Sequence, residues 1–215
     1  MRLELGNKVS CTDAEFGELA DVIVDPISRR ITHVVVAPHG QRDRARLVAI
    51  EHARPAEDGL ALDHSVAEVE ALEALREAAY MRARDHVVAD PDWDVGAEDV
   101  LALPLFQEMD GMGTVADPDP HVMIRYDRIP KNEVEIRRSS AVWSSDEHHL
   151  GHVDGFLIGS EGAFDIVLER GHLWGRRDVV IPASAVAQIR NDAVTLSLTK
   201  QQVAELDVRH VHRWF

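Results

Sequence analysis

Histidine is the residue type in this chain whose spacing first invites a chemical reading. Of twelve histidines, His148, His149 and His152 cluster, and His172 falls on the neighbouring predicted hairpin. Three or four converging imidazoles or carboxylates, oriented by acceptors behind them, would hold a divalent ion. Neighbours on a strand or turn point to opposite sides, and the spacing matches no known zinc motif, so the group reads as a polar surface turn. His210 and His212, in RHVHRWF, would share one face of a strand, but they lie at a terminus, where order fails first.

A second candidate is the acidic stretch DPDWDVG. Asp90, Asp92 and Asp94 occupy the first three ligand positions of a calcium loop, but Val95 stands where glycine should allow the sharp turn. Leu101 stands where a bidentate glutamate should close the shell, so a solvated acidic turn is the better reading. Cys11 lies in a predicted strand and reads as a small buried hydrophobe rather than a nucleophile. No G-x-S-x-G elbow, glycine-rich phosphate loop or H-E-x-x-H helix occurs. The expectation is therefore a non-enzyme with no cofactor and no metal.

The most unusual local composition is RGHLWGRRDV, residues 170–179. Gly171 and Gly175 supply turn geometry, and His172, Trp174, Arg176 and Arg177 are presented near a hairpin tip. The stretch APHGQRDRAR, residues 37–46, offers Arg42 and Arg44 in a comparable place without the tryptophan. Tryptophan and arginine are enriched at binding hot spots, so these six residues are the expected partner-binding positions, against a Trp174 folded back onto its own sheet. A cationic, aromatic-tipped patch suits an acidic protein surface, with single-stranded RNA the second choice.

The whole-chain charge bears on that choice. With 23 basic and 38 acidic residues among 215, the net charge is −15 and the pI is near 5.1, so nucleic-acid binding would need a local basic patch working against the global field. Hydrophobic content of 45% with 28% charged residues is that of a globular protein. No apolar run approaches the roughly 18 residues of a membrane helix, and MRLELGNKVSC has no apolar stretch before a small-residue cleavage site. A lone cysteine fits a reducing compartment. The expected location is cytoplasmic, without membrane insertion.

The elements that must carry these residues repeat. Residues 8–63 alternate β-branched runs with turn residues, which predicts several short antiparallel strands. Ser65 and Glu68 form a capping box, and Val66, Val69, Leu72, Leu75 and Ala79 then recur at helical steps, predicting a helix over residues 66–84. GELADVIV (17–24) corresponds to GHVDGFLI (151–158), ITHVVVA (31–37) to FDIVLER (164–170) and RLVAIEHA (46–53) to VVIPASAV (179–186). GLALDHSVAEVEAL (59–72) corresponds to AVTLSLTKQQVAEL (193–206), with Thr199 and Gln202 as a second capping box. The offset stays within 132–134 residues. Between the copies, residues 85–134 hold five of nine prolines and 12 acidic residues against 3 basic ones, predicting irregular turns with one short helix near 97–103. Its apolar residues, Trp93 and Leu101 among them, should pack it over the copies.

The patterns GELADVIVDPISRRITHVVVAP (17–38) and GHVDGFLIGSEGAFDIVLERGHLWGRRDVVIPASAV (151–186) resemble the PRC-barrel family. That module is shared by the photosynthetic reaction centre H subunit and the C-terminal domain of the ribosome maturation factor. The resemblance covers about three quarters of the chain and is similar to bacterial proteins built of two such barrels. It implies small adaptor or assembly barrels with no catalytic residues to carry over; the H subunit's membrane helix and the maturation factor's N-terminal barrel have no counterpart here. The expected fold is thus mostly β: two small antiparallel barrels related by internal duplication and packed about a pseudo-two-fold. Their expected spans are 1–84 and 135–215, each ending in a helix, with the acidic insert 85–134 between. The expected function is a non-catalytic adaptor for a protein partner. A ribosome- or RNA-associated stress or maturation factor stands second, and a histidine-based metal sensor or enzyme third.

Overall fold

A computed structural model describes residues 2–57, 59–82, 92–101, 106–108, 114–116, 121–159, 163–170, 177–190 and 192–206, and these are mostly β. The chain opens with β1 (Arg2–Glu4) and β2 (Lys8–Ser10), followed by a long hairpin of β3 (Glu15–Asp25) and β4 (Arg30–Ala37). β5 (Arg46–Ala49) pairs back on β4, and a 3-10 turn at Ile50–His52 leads into the hairpin of β6 (Ala53–Ala56) and β7 (Gly59–Leu62). The sheet runs β5-β4-β3-β2-β7-β6, with β2 and β7 parallel.

Helix α1 (Val66–Ala71) follows. Its Ser65 capping box is formed as the sequence predicts, but the helix stops after six residues rather than continuing to residue 84. Six residues offer little intrinsic helix stability, so tertiary partners decide where the chain goes next. Leu72 turns extended, Leu75 is buried among Ile23, Val35 and Ile129, and β8 (Arg76–Arg82) finds a β-ladder instead.

The insert is likewise more regular than expected. It contains β9 (Trp93–Leu101), β10 (Phe106–Glu108), β11 (Thr114–Ala116) and β12 (His121–Pro130), with β8 and β9 flanking β12 in a three-stranded antiparallel sheet. The short helix expected near 97–103 is instead strand as far as Leu101, because Val100 and Leu101 pair with Ile124 and Met123.

The chain then forms β13 (Val134–Arg137), β14 (Ala141–Trp143), β15 (His149–Ile158), β16 (Phe164–Arg170), β17 (Arg177–Ile181), β18 (Val186–Arg190) and β19 (Ala193–Leu196). It ends its described part in α2 (Lys200–Glu205), capped by Thr199 and Gln202. The second sheet runs β17-β16-β15-β14-β19-β18, again with its inner pair, β14 and β19, parallel. Among the described residues no ladder joins β5 to β6 or β17 to β18, so both strand paths are open where closed barrels were expected.

Each sheet takes its seventh strand from the other half of the chain. β1 pairs antiparallel with β15, Leu3 opposite Phe156, and β13 pairs antiparallel with β3, Ile136 opposite Val22. Gly155 makes the first exchange possible, since a Cβ there would lie 2.4 Å from the Leu3 carbonyl oxygen. Leu3, Val22, Ile136 and Phe156 belong to one continuous core that spans both sheets.

Strand pleating explains the unbroken apolar runs of β3 and β4. Val22, Val24, Val34 and Val36 face the shared core, while Ile23 and Val35 face the opposite way. That back face is covered by Leu75 and by Ile129 of the insert sheet. Burial on both faces removes the polar alternation a half-exposed strand would show.

Candidate functional site

Where the first sheet meets the insert, three buried carboxylates meet three partly buried arginines. Asp21 comes from β3, Arg42 from a 3-10 turn after β4, Arg76 from β8, Asp127 from β12, and Glu135 and Arg137 from β13. Asp127 lies at the centre. Its Oδ2 accepts from Arg42 Nη2 and Arg137 Nη2, both at 2.9 Å, and its Oδ1 from Arg76 Nε at 2.9 Å. Arg42 also donates to Glu135 Oε1 at 3.0 Å and pairs with Asp21. Glu135 fits because β9 has a glycine beside it: a Cβ on Gly96 would lie 2.7 Å from Glu135 Oε2.

Three carboxylates against three guanidiniums balance, but unevenly. Burial pushes the Asp127 carboxyl up, yet the hydrogen bond from Arg76 and the charges of Arg42 and Arg76 outweigh it and hold it below the ordinary range. At Asp21 burial wins over the pull of Arg42 and Arg137, and the carboxyl is pushed up to about 6. An acid of raised pKa stabilises the fold fully below its unfolded value near 3.8 and loses that contribution as pH rises through about 6. Wild-type stability should therefore carry a component that declines as pH rises from about 4 through about 6. Asp21→Asn should flatten that decline, as read from urea midpoints across the range; parallel pH profiles for the two proteins would refute the assignment.

Beside the cluster lies a groove on which several functional side chain types converge. A groove of about 260 Å³ is lined by Leu47, Ala74, Leu75, Trp93, Ile129 and Pro130, with Glu73, Asp92 and Arg128 at its edges. Trp93 stacks on Tyr126 with ring centroids 5.6 Å apart, and the Arg128 guanidinium sits 4.8 Å from the Trp93 ring. Arg128 Nη1 donates to Glu77 at 2.9 Å and is also bonded by Glu73. Tyr126 Oη donates to the same Glu77 at 2.9 Å; burial first and this bond second push its hydroxyl pKa up to about 12.

Three of the six residues expected to bind a partner lie among the described residues. Arg42 is turned into the buried cluster, and Arg44 is bonded to Glu70 at the surface. Arg177 enters β17 opposite Arg170. His172, Trp174 and Arg176 lie outside the described residues, as do Asp90, His210 and His212.

The remaining candidates have local roles. His148 Nδ1 is 3.3 Å from Asp146, while His149 packs between Trp143 and His152 at ring distances of 5.1 and 5.0 Å. Asp94 accepts from Lys131 Nζ at 2.9 Å and from the Asn132 N–H at 2.8 Å, and Val95 and Leu101 are strand residues rather than parts of a calcium loop. Burial, with the Asp13 charge second, pushes the Cys11 thiol above its ordinary pKa, which disfavours the reactive thiolate.

Sequence reasoning missed the buried cluster. Its members are spread from residue 21 to residue 137, and only the third dimension gathers them. A trace existed: Asp21 interrupts the apolar strand run LADVIV, and a charge in such a place needs a partner.

Residues 136–204, from β13 to α2, match a family described as "Uncharacterized protein conserved in bacteria (DUF2171)". No functionally curated protein matches the chain. Among the described residues no helix is long and apolar enough to cross a membrane.

Proposed function

We propose that this chain is a non-catalytic adaptor or assembly module for a protein partner, built from two PRC-barrel-type units related by internal duplication. Four features support the duplication: the same strand order in both sheets, a parallel inner pair in each, a capping box after each last strand, and the reciprocal exchange of β1 and β13.

The observation that carries the binding role is the Trp93–Arg128 groove. It offers an apolar floor and an aromatic–arginine pair, the side chain types on which hot spots concentrate. Glu73 and Asp92 are exposed at its edge, and the chain as a whole carries −15. Charge complementarity therefore selects a basic protein surface that inserts an apolar side chain. His172, Trp174, Arg176 and Arg177 stay in this reading as a second contact region, for an acidic part of the same partner.

The whole chain, immobilised in extract of its native cell, should retain such a partner directly. Reversal of both Glu73 and Asp92 to lysine should reduce capture at least about tenfold and make it less salt-sensitive, while the melting temperature barely moves. Equal capture by the reversed protein would remove the groove from the account. Capture abolished by ribonuclease would replace the protein partner with RNA.

A further inference from the structure

A different group, His52, Asp63 and His64, has the geometry of a ligand set. His52 ends the 3-10 turn before β6, and Asp63 and His64 follow β7, so the antiparallel hairpin brings together residues eleven apart in sequence. His52 Nδ1 and His64 Nδ1 each lie 3.2 Å from Asp63 Oδ1, and one ligand atom from each of the three falls within 4.8 Å of the others. Metal–nitrogen and metal–oxygen bonds of about 2.0–2.2 Å place neighbouring ligand atoms about 2.9–3.4 Å apart. Two of the three separations already have that value.

The backbone holds the three residues in place. The Asp63 N–H donates to the His52 carbonyl at 3.0 Å, closing the hairpin base, and the Thr12 N–H donates to the His64 carbonyl at 2.9 Å. Arg54 Nη2 lies 3.4 Å from the other oxygen of Asp63, as a group orienting a ligand from behind would.

The second sheet repeats this frame without the ligands. There the Ser197 N–H donates to the Ala185 carbonyl at 2.8 Å, and the Ser145 N–H to the Leu198 carbonyl at 2.9 Å. Alanine, serine and leucine thus stand where the first sheet has His52, Asp63 and His64. The frame forms with those residues, so folding does not require two imidazoles and a carboxylate there. His64 Nδ1 is also buried without a hydrogen bond.

We propose that His52, Asp63 and His64 bind one divalent transition-metal ion of the kind imidazole favours, such as zinc, leaving coordination positions open to water or to a partner's side chain. Magnesium and calcium, which favour all-oxygen shells, are poor occupants. The site is independent of the groove.

The test is calorimetric titration of Zn²⁺ into tag-free, chelator-stripped protein. One saturable site is expected, indifferent to excess Mg²⁺. His52→Ala and His64→Leu, which copy the second sheet, should each weaken binding at least about tenfold and leave the metal-free melting temperature close to wild type. Substituting His148, His149 and His152 together should change nothing. If a variant does not fold, NMR of the wild-type imidazoles replaces it, with the His52 and His64 resonances expected to shift on adding Zn²⁺. No saturable binding, unmoved His52 and His64 resonances, or binding lost only in the 148–152 variant would each overturn the proposal.

Discussion

An Asp127→Ala variant should lose about 3–5 kcal/mol of stability, seen as a large fall in its denaturant midpoint. Asp127 is fully buried and is the acceptor on which Arg42, Arg76 and Arg137 all converge. Removing it leaves three guanidiniums crowded together with Asp21 and Glu135 as their remaining buried carboxylates. The loss comes from stranded charge more than from any favourable energy of the intact cluster, because burying ions is itself costly. The Arg44–Glu70 pair is an internal control. Both side chains are about half exposed, so Arg44→Ala should cost less than about 1 kcal/mol. Comparable losses for the two variants would mean that the cluster is better solvated than its geometry indicates.

A second large effect is expected from cutting the chain in the turn at Lys131 and Asn132. Residues 1–132 would lack β13 and with it Ile136, Glu135 and Arg137; residues 133–215 would lack β1 and with it Leu3. Neither piece can complete its sheet or its share of the common core, so each alone should show no cooperative unfolding transition and little amide protection. Expressed together, the two should form a one-to-one complex that unfolds cooperatively. Within the intact chain, Leu3→Ala should cost about 2–5 kcal/mol although the residue is third from the N-terminus, since it is 2% exposed in the core. Cooperative folding of residues 133–215 alone would contradict this account.

Local features of this fold were readable from sequence wherever short-range chemistry decides them. Ser65 with Glu68 and Thr199 with Gln202 form the two helix starts at the places their spacing indicates. What followed Ser65 was not readable, because the helical spacing of Leu72, Leu75 and Ala79 is also what results when one residue fills a separate core and the next enters a sheet. The acidic insert misled for a related reason: its prolines and aspartates mark turns, but its longer strands, β9 and β12, are fixed by partners some 20 to 50 residues away. Site residues divide similarly. An arginine-rich turn identified Arg42, but only its distant carboxylates explain where the side chain goes. The His52–Asp63–His64 group had no sequence signal, since its spacing is set by a hairpin ladder rather than by a motif.

The exchange of strands also orders events during synthesis. When β3 has left the ribosome, the edge that will receive β13 is complete but has no partner, and it stays open until the whole insert has been translated. At roughly 5–20 residues per second that interval lasts on the order of several seconds, during which Val22 and Val24 belong to an unfinished sheet. β1 waits longer still, because β15 is made after β13. A nascent chain in that state is a natural client for a chaperone that shields strand edges, and two neighbouring nascent chains could trade β13 between them.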